Sequence, residues 1–346
     1  MTREDRILVL CARQDFLDVH RVAVEELARQ PVSWERLEAT ARTNGVLPIV
    51  GANLRRCALD LPTGLGERLE GVVFENAIRK EQDALALADS LARLREVGLE
   101  ALLLKGTALD LQVYAEPWVV TSRDTDLLLR PLPGYRPGPA EKAVRRSLYR
   151  TGIEADLLTH HDVDMNGVLP VSYERIWRAA RPVDYRGVEA WVMSPEDLLI
   201  SICVNACRKR FFRLKGLFDL AETVRRLPVS WPEVGRRARD GGCERIVLTA
   251  LLAARATVGC ELPEGALSGL GVSPVRRGFL RLLVAGALRT LSFGTGERAG
   301  WALLLPYASF RAGQLWLSSY RAVTHPSVPR AVREPPPPEP SAILHP

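Results

Sequence analysis

Leu102-Leu103-Leu104-Lys105-Gly106-Thr107, then Tyr114, then Arg123-Asp124-Thr125-Asp126-Leu127-Leu128-Leu129, is the stretch whose reading decides the fold. An apolar run closing on Lys-Gly-Thr predicts a strand that turns tightly into a helix, where free backbone N–H groups, the Thr107 hydroxyl and the Lys105 ammonium face phosphate. Asp124 and Asp126 are two residues apart, so on a strand their carboxylates leave from one face while Leu127 to Leu129 continue inward. Two carboxylates held that close repel each other unless a cation lies between them, and Mg²⁺ takes oxygen ligands while binding a triphosphate. An isolated Asp-Thr-Asp also fits a solvated turn. Here a glycine turn precedes it and an acid-bearing apolar run follows, in the order one mechanism requires.

That downstream run, Gly152-Ile153-Glu154-Ala155-Asp156-Leu157-Leu158, offers a third acid on a neighbouring strand. Glu154 is preferred and Asp156 stands close behind it. Three acids on adjacent strands suit a two-metal site, in which one ion activates an attacking hydroxyl and the other neutralises departing pyrophosphate.

Outward from this centre the pattern turns helical. From Arg3 to about Arg95 apolar residues recur at helical spacing, broken at Pro31, Gly45, Pro48 and Pro62 to Gly66. Helix resumes at Ser194-Pro195-Glu196-Asp197, where Ser caps, Pro takes the first helical position and two acids suit the dipole. It is expected to run with little interruption to Arg226, with further helices over 233–259 and 275–321. The fold class predicted is therefore α/β (α+β): a small mixed sheet flanked by helical regions. The divisions expected are 1–95 helical, 96–193 the sheet-bearing core, 194–323 helical, and 324–346 a disordered or polyproline tail holding eight of the 24 prolines. Pro31-Val32-Ser33-Trp34 recurs as Pro228-Val229-Ser230-Trp231. Further matches follow at the same offset, including Arg42 with Arg239 and Gly45 with Gly242. Both copies predict a Ser-capped helix, a glycine turn and a second helix, from duplication or from the general likeness of such helices. They are read as scaffold without chemistry.

The 346 residues, 47% hydrophobic and 25% charged, can bury a core and a cleft. The 47 Lys and Arg against 41 Asp and Glu give a net charge of +6. This mildly favours anionic partners but is spread too thinly to specify nucleic acid. Six cysteines without CxxC spacing, and no signal-peptide pattern, indicate neither a zinc site nor a disulfide framework and favour the cytoplasm. Cys203 and Cys207 read as a buried apolar pair. The apolar runs 101–104 and 302–305 fall far below the roughly 20 residues of a membrane span, so none is expected.

Leu104-Lys105-Gly106, Tyr114, Asp124-Thr125-Asp126-Leu127-Leu128, Glu154 and Ser194 to Leu199 together resemble the nucleotidyltransferase superfamily of the DNA polymerase β type. More closely they resemble a bacterial family of uncharacterised nucleotidyltransferases, over roughly 33–264. The resemblance implies that Lys105, Gly106 and Thr107 line an NTP triphosphate. It also implies that Asp124, Asp126 and Glu154 (or Asp156) hold two Mg²⁺, and that an NMP group passes to an acceptor (a small molecule, peptide or RNA) with release of pyrophosphate. Arg213, Lys215 and Asp219 match a pattern facing the cleft, although an i to i+4 Lys–Asp pair on a solvated helix face fits them equally.

Three departures stand out. The family's Arg before the first Asp is Val120 here, with Arg123 in a position to substitute. A position where relatives tend to carry His on the long helix is Asn205. The family's helix after the Asp-x-Asp strand gives way to Arg130-Pro131-Leu132-Pro133-Gly134-Tyr135, which reads as an immediate turn. The alternative function is thus a catalytically degenerate protein on the same fold that binds nucleotide or a partner. His160-His161-Asp162-Val163-Asp164 reads as a polar loop outside the site, since adjacent side chains on an extended chain diverge. Arg208-Lys209-Arg210 reads as a wetted helix end, with RNA contact as the alternative.

Overall fold

The computed structural model describes residues 1–122, 124–157, 160–165, 167–211, 213–290 and 293, without the side chains of 156, 161, 162 and 288–290. The tail over 324–346, the end of the helix expected to reach 321, and Arg123 lie outside the described residues.

Five helices open the chain: α1 (Arg3–Cys11), α2 (Asp18–Ala28), α3 (Trp34–Thr43), α4 (Leu47–Leu54) and α5 (Leu65–Glu96). Then come β1 (Leu99–Leu103), α6 (Lys105–Gln112), β2 (Thr125–Pro131), α7 (Pro139–Arg150), β3 (Ile153–Asp156), α8 (His161–Asp164), α9 (Tyr173–Ala179), β4 (Arg181–Tyr185) and β5 (Val188–Val192). The strands form one mixed sheet in the order β3-β2-β1-β5-β4. β1 is antiparallel to β2 and parallel to β5, and β2 is parallel to β3. α5 packs on β1 and β5, and Leu102, Leu103, Leu127, Leu128 and Leu129 are all fully buried. These continuous apolar runs are what a sheet covered on both faces requires.

A parallel β2–β3 pair cannot be joined by a tight turn and needs a crossover. α7 supplies it, which corrects the expectation of a shortened connection. Pro139 is at the start of α7, where its missing N–H costs nothing, and Leu148 is buried. The proline-rich approach, Pro131 to Pro139, hides the helix that follows.

α10 (Pro195–Arg208) begins as the sequence predicts, with Ser194 Oγ accepting from the Asp197 N–H at 3.3 Å. It does not continue to Arg226. The chain breaks at Lys209, passes through Arg210 and Phe211 at φ 60° and 59°, and resumes as α11 (Leu214–Arg226). The break lets Phe211 be buried and turns the stripe Leu214, Leu217, Phe218, Ala221 inward. α12 (Trp231–Asp240), α13 (Glu244–Val258) and α14 (Pro274–Thr290) follow, and α10, α11 and α13 pack together. Cys203 and Cys207 are buried free thiols, the latter pushed up to about 12 by burial. Among the described residues no helix is long and apolar enough to cross a membrane.

The internal echo extends further than its matching letters. α3–α4 and α12–α13 are both helix hairpins, but neither Ser33 nor Ser230 caps through its side chain. Their N–H groups go instead to Glu4 Oε1 (3.1 Å) and Glu196 Oε1 (2.9 Å). Each glutamate stands in a first turn of the same design, Thr2-Arg3-Glu4-Asp5 and Ser194-Pro195-Glu196-Asp197, capped by the hydroxyl of its first residue. α1 packs on α3 and α4 as α10 packs on α12 and α13.

Candidate active site

Leu104 leaves β1 still bonded to β2, its N–H donating to the Asp126 carbonyl at 3.0 Å. At Lys105 the backbone swings to φ 45°, a left-handed conformation that costs a non-glycine residue roughly 1–2 kcal/mol, and α6 begins. A Cβ at Gly106 would lie 3.3 Å from Ser122 Cβ. Glycine therefore lets the head of α6 close on the loop before Asp124.

Beyond this turn opens a cleft of about 650 Å³. Lys105, Gly106, Asp124, Asp126, Lys215 and Asp219 all line it, together with Arg42, Asn205, Lys209 and Arg213. Five cationic side chains against three carboxylates make it a place for an anion. Lys209 is held below the ordinary lysine range by burial, then by Arg208 and Arg213, against the pull of Asp124 and Asp126. Thr107 borders a second, smaller cavity instead.

Asp126 is 3% exposed, and both its oxygens are engaged: Oδ2 with Lys105 Nζ at 3.0 Å, Oδ1 with His160 Nε2 at 3.3 Å. His160 is fully buried, and its backbone N–H donates to the Tyr173 hydroxyl at 2.8 Å. This corrects its reading as part of a polar loop: it is buried against Asp126. The divergence argument assumed an extended chain, whereas His160 immediately precedes the short helix α8. Asp124 is exposed and borders both spaces. Glu154 is paired in register with Asp126 across the parallel strands, which places it on the same face; it is half-buried and does not line the cleft. Among the described residues no three His, Cys, Asp or Glu side chains stand grouped as a metal site.

On the opposite wall Lys215 Nζ meets Asp219 Oδ2 at 2.7 Å. The i to i+4 pair forms, but facing the cleft rather than on a solvated face. Tyr114, the downstream tyrosine, stacks on Phe218 and donates its hydroxyl to Asp219 Oδ1. Its pKa is raised well above the usual value by burial and then by Asp219, so the phenol keeps its proton and remains a donor.

Sequence reasoning missed two residues of α5. Asn76 Nδ2 donates to the carbonyls of Trp118 (2.6 Å) and Val120 (3.1 Å), and Lys80 Nζ, one turn on, to Ser122 Oγ and Asp110 Oδ2, both at 2.7 Å. Together they hold the loop that delivers Asp124. The signal was present: Asn76 and Lys80 occupy the stripe of Leu65, Leu69, Leu87, Leu91 and Leu94, where a polar side chain must have a partner. The cleft also takes Arg42, Thr43 and Gly45 from the first helix hairpin, the first copy of the repeat. Gly45, at φ 72°, accepts from the Thr121 N–H, and a Cβ there would press Thr121 Oγ1 at 3.3 Å.

A mixed sheet whose first strand ends in a strained Lys-Gly turn, beside an Asp-x-Asp segment that borders the same basic cleft, defines an α/β protein with a cleft suited to an anion. Residues 30–259, more than half the chain, match the model of the family described as uncharacterised nucleotidyltransferase, and the chain belongs to that family. No curated protein and no solved structure matches it.

Proposed function

We propose that the chain transfers an NMP group from a Mg²⁺-bound NTP to an acceptor, with release of pyrophosphate. The supporting observation is that Asp124 and Asp126 open on the same cleft as the Lys105-Gly106 turn and the cations Arg42, Lys209, Arg213 and Lys215. The donor set fits a hard divalent ion: the two aspartates supply carboxylate oxygens, and Asn205 Oδ1, buried in the wall, has no hydrogen-bond partner among the described residues. Asp124 and Asp126 would hold the metal, with Glu154 beside Asp126 in the sheet. Mg²⁺, when bound, neutralises the phosphate charge that builds on the leaving group.

The chain's own contribution is positioning and charge. Lys105 meets Asp126 Oδ2, so its ammonium is stationed at the cleft wall where it would steady the triphosphate. Lys209, Arg213 and Arg42 border the space for the outer phosphates. Lys215, tied to Asp219, which Tyr114 also holds, presents its ammonium in a fixed place. His160 and Lys105 keep the Asp126 carboxylate oriented.

The engagement of both Asp126 oxygens favours a second reading: a protein that binds nucleotide without turning it over. Incubation with α-labelled NTP, Mg²⁺ and a panel of hydroxyl acceptors separates the two. The proposal expects Mg²⁺-dependent release of pyrophosphate that Asp124→Asn and Asp126→Asn abolish while circular dichroism is unchanged. Nucleotide binding without release supports the second reading, and release untouched by Asp124→Asn removes the site.

A further inference from the structure

α14 carries two apolar stripes, of which one is buried. Leu280, Val284 and Ala287, spaced i, i+4 and i+7, are buried where the helix packs on α13. Val275, Phe279 and Leu282, at the same spacing, share another face and stand 84%, 54% and 73% exposed. Single exposed apolar residues are ordinary, whereas a stripe of three along one helix marks an interaction surface. The charge beside the stripe says what it meets. Arg277 and Arg281, one turn apart on α14, line a groove of about 360 Å³ with Arg255 of α13 and the loop over 262–268. Among the described residues Glu264 is the one carboxylate in its lining, and none of the three arginines is ion-paired. From Gly265 to Gly296 the chain holds no acid against four arginines. The bias continues over 298–333, which has no acid, five arginines and the aromatics Trp301, Tyr307, Phe310, Trp316 and Tyr320; Trp and Tyr gather at membrane–water interfaces.

We infer that this face of α14 docks on the surface of an anionic lipid bilayer. Val275, Phe279 and Leu282 enter the boundary between headgroups and acyl chains, and Arg255, Arg277 and Arg281 take the lipid phosphates. The helix lies along the interface and does not cross it, and the inference does not depend on nucleotidyl transfer. RNA would meet the same arginines, but it offers no apolar phase to Val275 and Leu282. Among the described residues no Asn or Gln lines the groove to read a base edge. One arginine near an anionic surface strengthens binding about fivefold, and that attraction falls as salt rises.

The test is co-sedimentation of the full chain with vesicles of phosphatidylcholine alone and of phosphatidylcholine mixed equally with phosphatidylglycerol, in low and in high salt. Binding to the mixed vesicles alone is expected, and salt should weaken it. Arg277→Gln with Arg281→Gln should lower the affinity about twentyfold. Phe279→Ser with Leu282→Ser should lower it at least about tenfold. Phe74→Ser, which removes a similarly exposed ring from α5, should leave it unchanged. Circular dichroism should be unaltered in all three variants, since none of the replaced side chains is buried. No binding to the mixed vesicles, equal binding to both kinds, unchanged binding in either α14 variant, or an equal loss in Phe74→Ser each overturns the inference. So does single-stranded RNA bound as tightly as the mixed vesicles, with the Phe279, Leu282 variant binding it like wild type.

Discussion

Replacing Lys80 by Met keeps the length of the side chain and removes its charge. Lys80 is 6% exposed, and its ammonium is shared between Asp110 Oδ2 and Ser122 Oγ. Asp110 Oδ1 has no hydrogen-bond partner of its own among the described residues, so the variant leaves a largely buried carboxylate with neither oxygen paired. Breaking one side of a buried ion pair costs about 3–5 kcal/mol. The Asp110 side chain keeps 18% of its surface, which puts the loss at the lower end, roughly 3 kcal/mol. Protonation offers an escape. Burial already raises the Asp110 pKa against the pull of Lys80, and losing Lys80 raises it further. A raised carboxyl binds its proton more readily in the folded chain than in the unfolded one. Its contribution is therefore full at pH below the unfolded value and is lost as pH rises through the folded value. The defect should be largest near pH 8 and shrink towards pH 5. Urea unfolding followed by tryptophan fluorescence at both pH values measures it. The double variant Lys80→Met, Asp110→Leu should recover most of the loss, because an apolar pair replaces a buried charged one. A single variant that loses under about 1 kcal/mol at pH 8, or a double variant as unstable as the single, would refute the reasoning.

Lys105→Gly and Lys105→Ala both remove the ammonium from Asp126, but only glycine tolerates φ 45°. The glycine variant should be the more stable in urea by about 1–2 kcal/mol, with nucleotide affinity weakened alike in both. Tyr114→Phe takes one donor from buried Asp219 and leaves Lys215 in place. It should cost about 1.5–3 kcal/mol in stability, as a hydrogen bond to a charged group does, whereas a loss below about 0.5 kcal/mol, the size of a surface change, would mean Asp219 does not depend on it.

Much of the centre was legible because a buried strand has little freedom in composition. The leucine runs after Glu100 and Asp126 became β1 and β2, and the spacing of Asp124 and Asp126 brought both to one cleft. The cap at Ser194 held for the same local reason. What was hidden depends on partners far away in sequence. His160 reaches Asp126 only because the chain curls at α8, and α7 hides behind prolines that read as a turn. The break after Arg208 is set by where Phe211 is buried, which no periodicity shows. Arg42 and Gly45 reach the cleft because Asn44 accepts from the Leu214 N–H at 3.0 Å, tying the first hairpin to α11. Asn76 and Lys80 were visible as polar residues on an apolar stripe, but their role appears only once the loop before Asp124 lies against them.

The central claim, that the acids and the glycine turn form one cleft for metal-bound NTP, is tested most directly by calorimetric binding of a non-hydrolysable α,β-methylene NTP. Wild type and Asp126→Asn are titrated with and without Mg²⁺. The account predicts wild-type binding that depends on Mg²⁺ and is at least about tenfold weaker in the variant. Equal affinity with and without Mg²⁺, in both proteins, contradicts it.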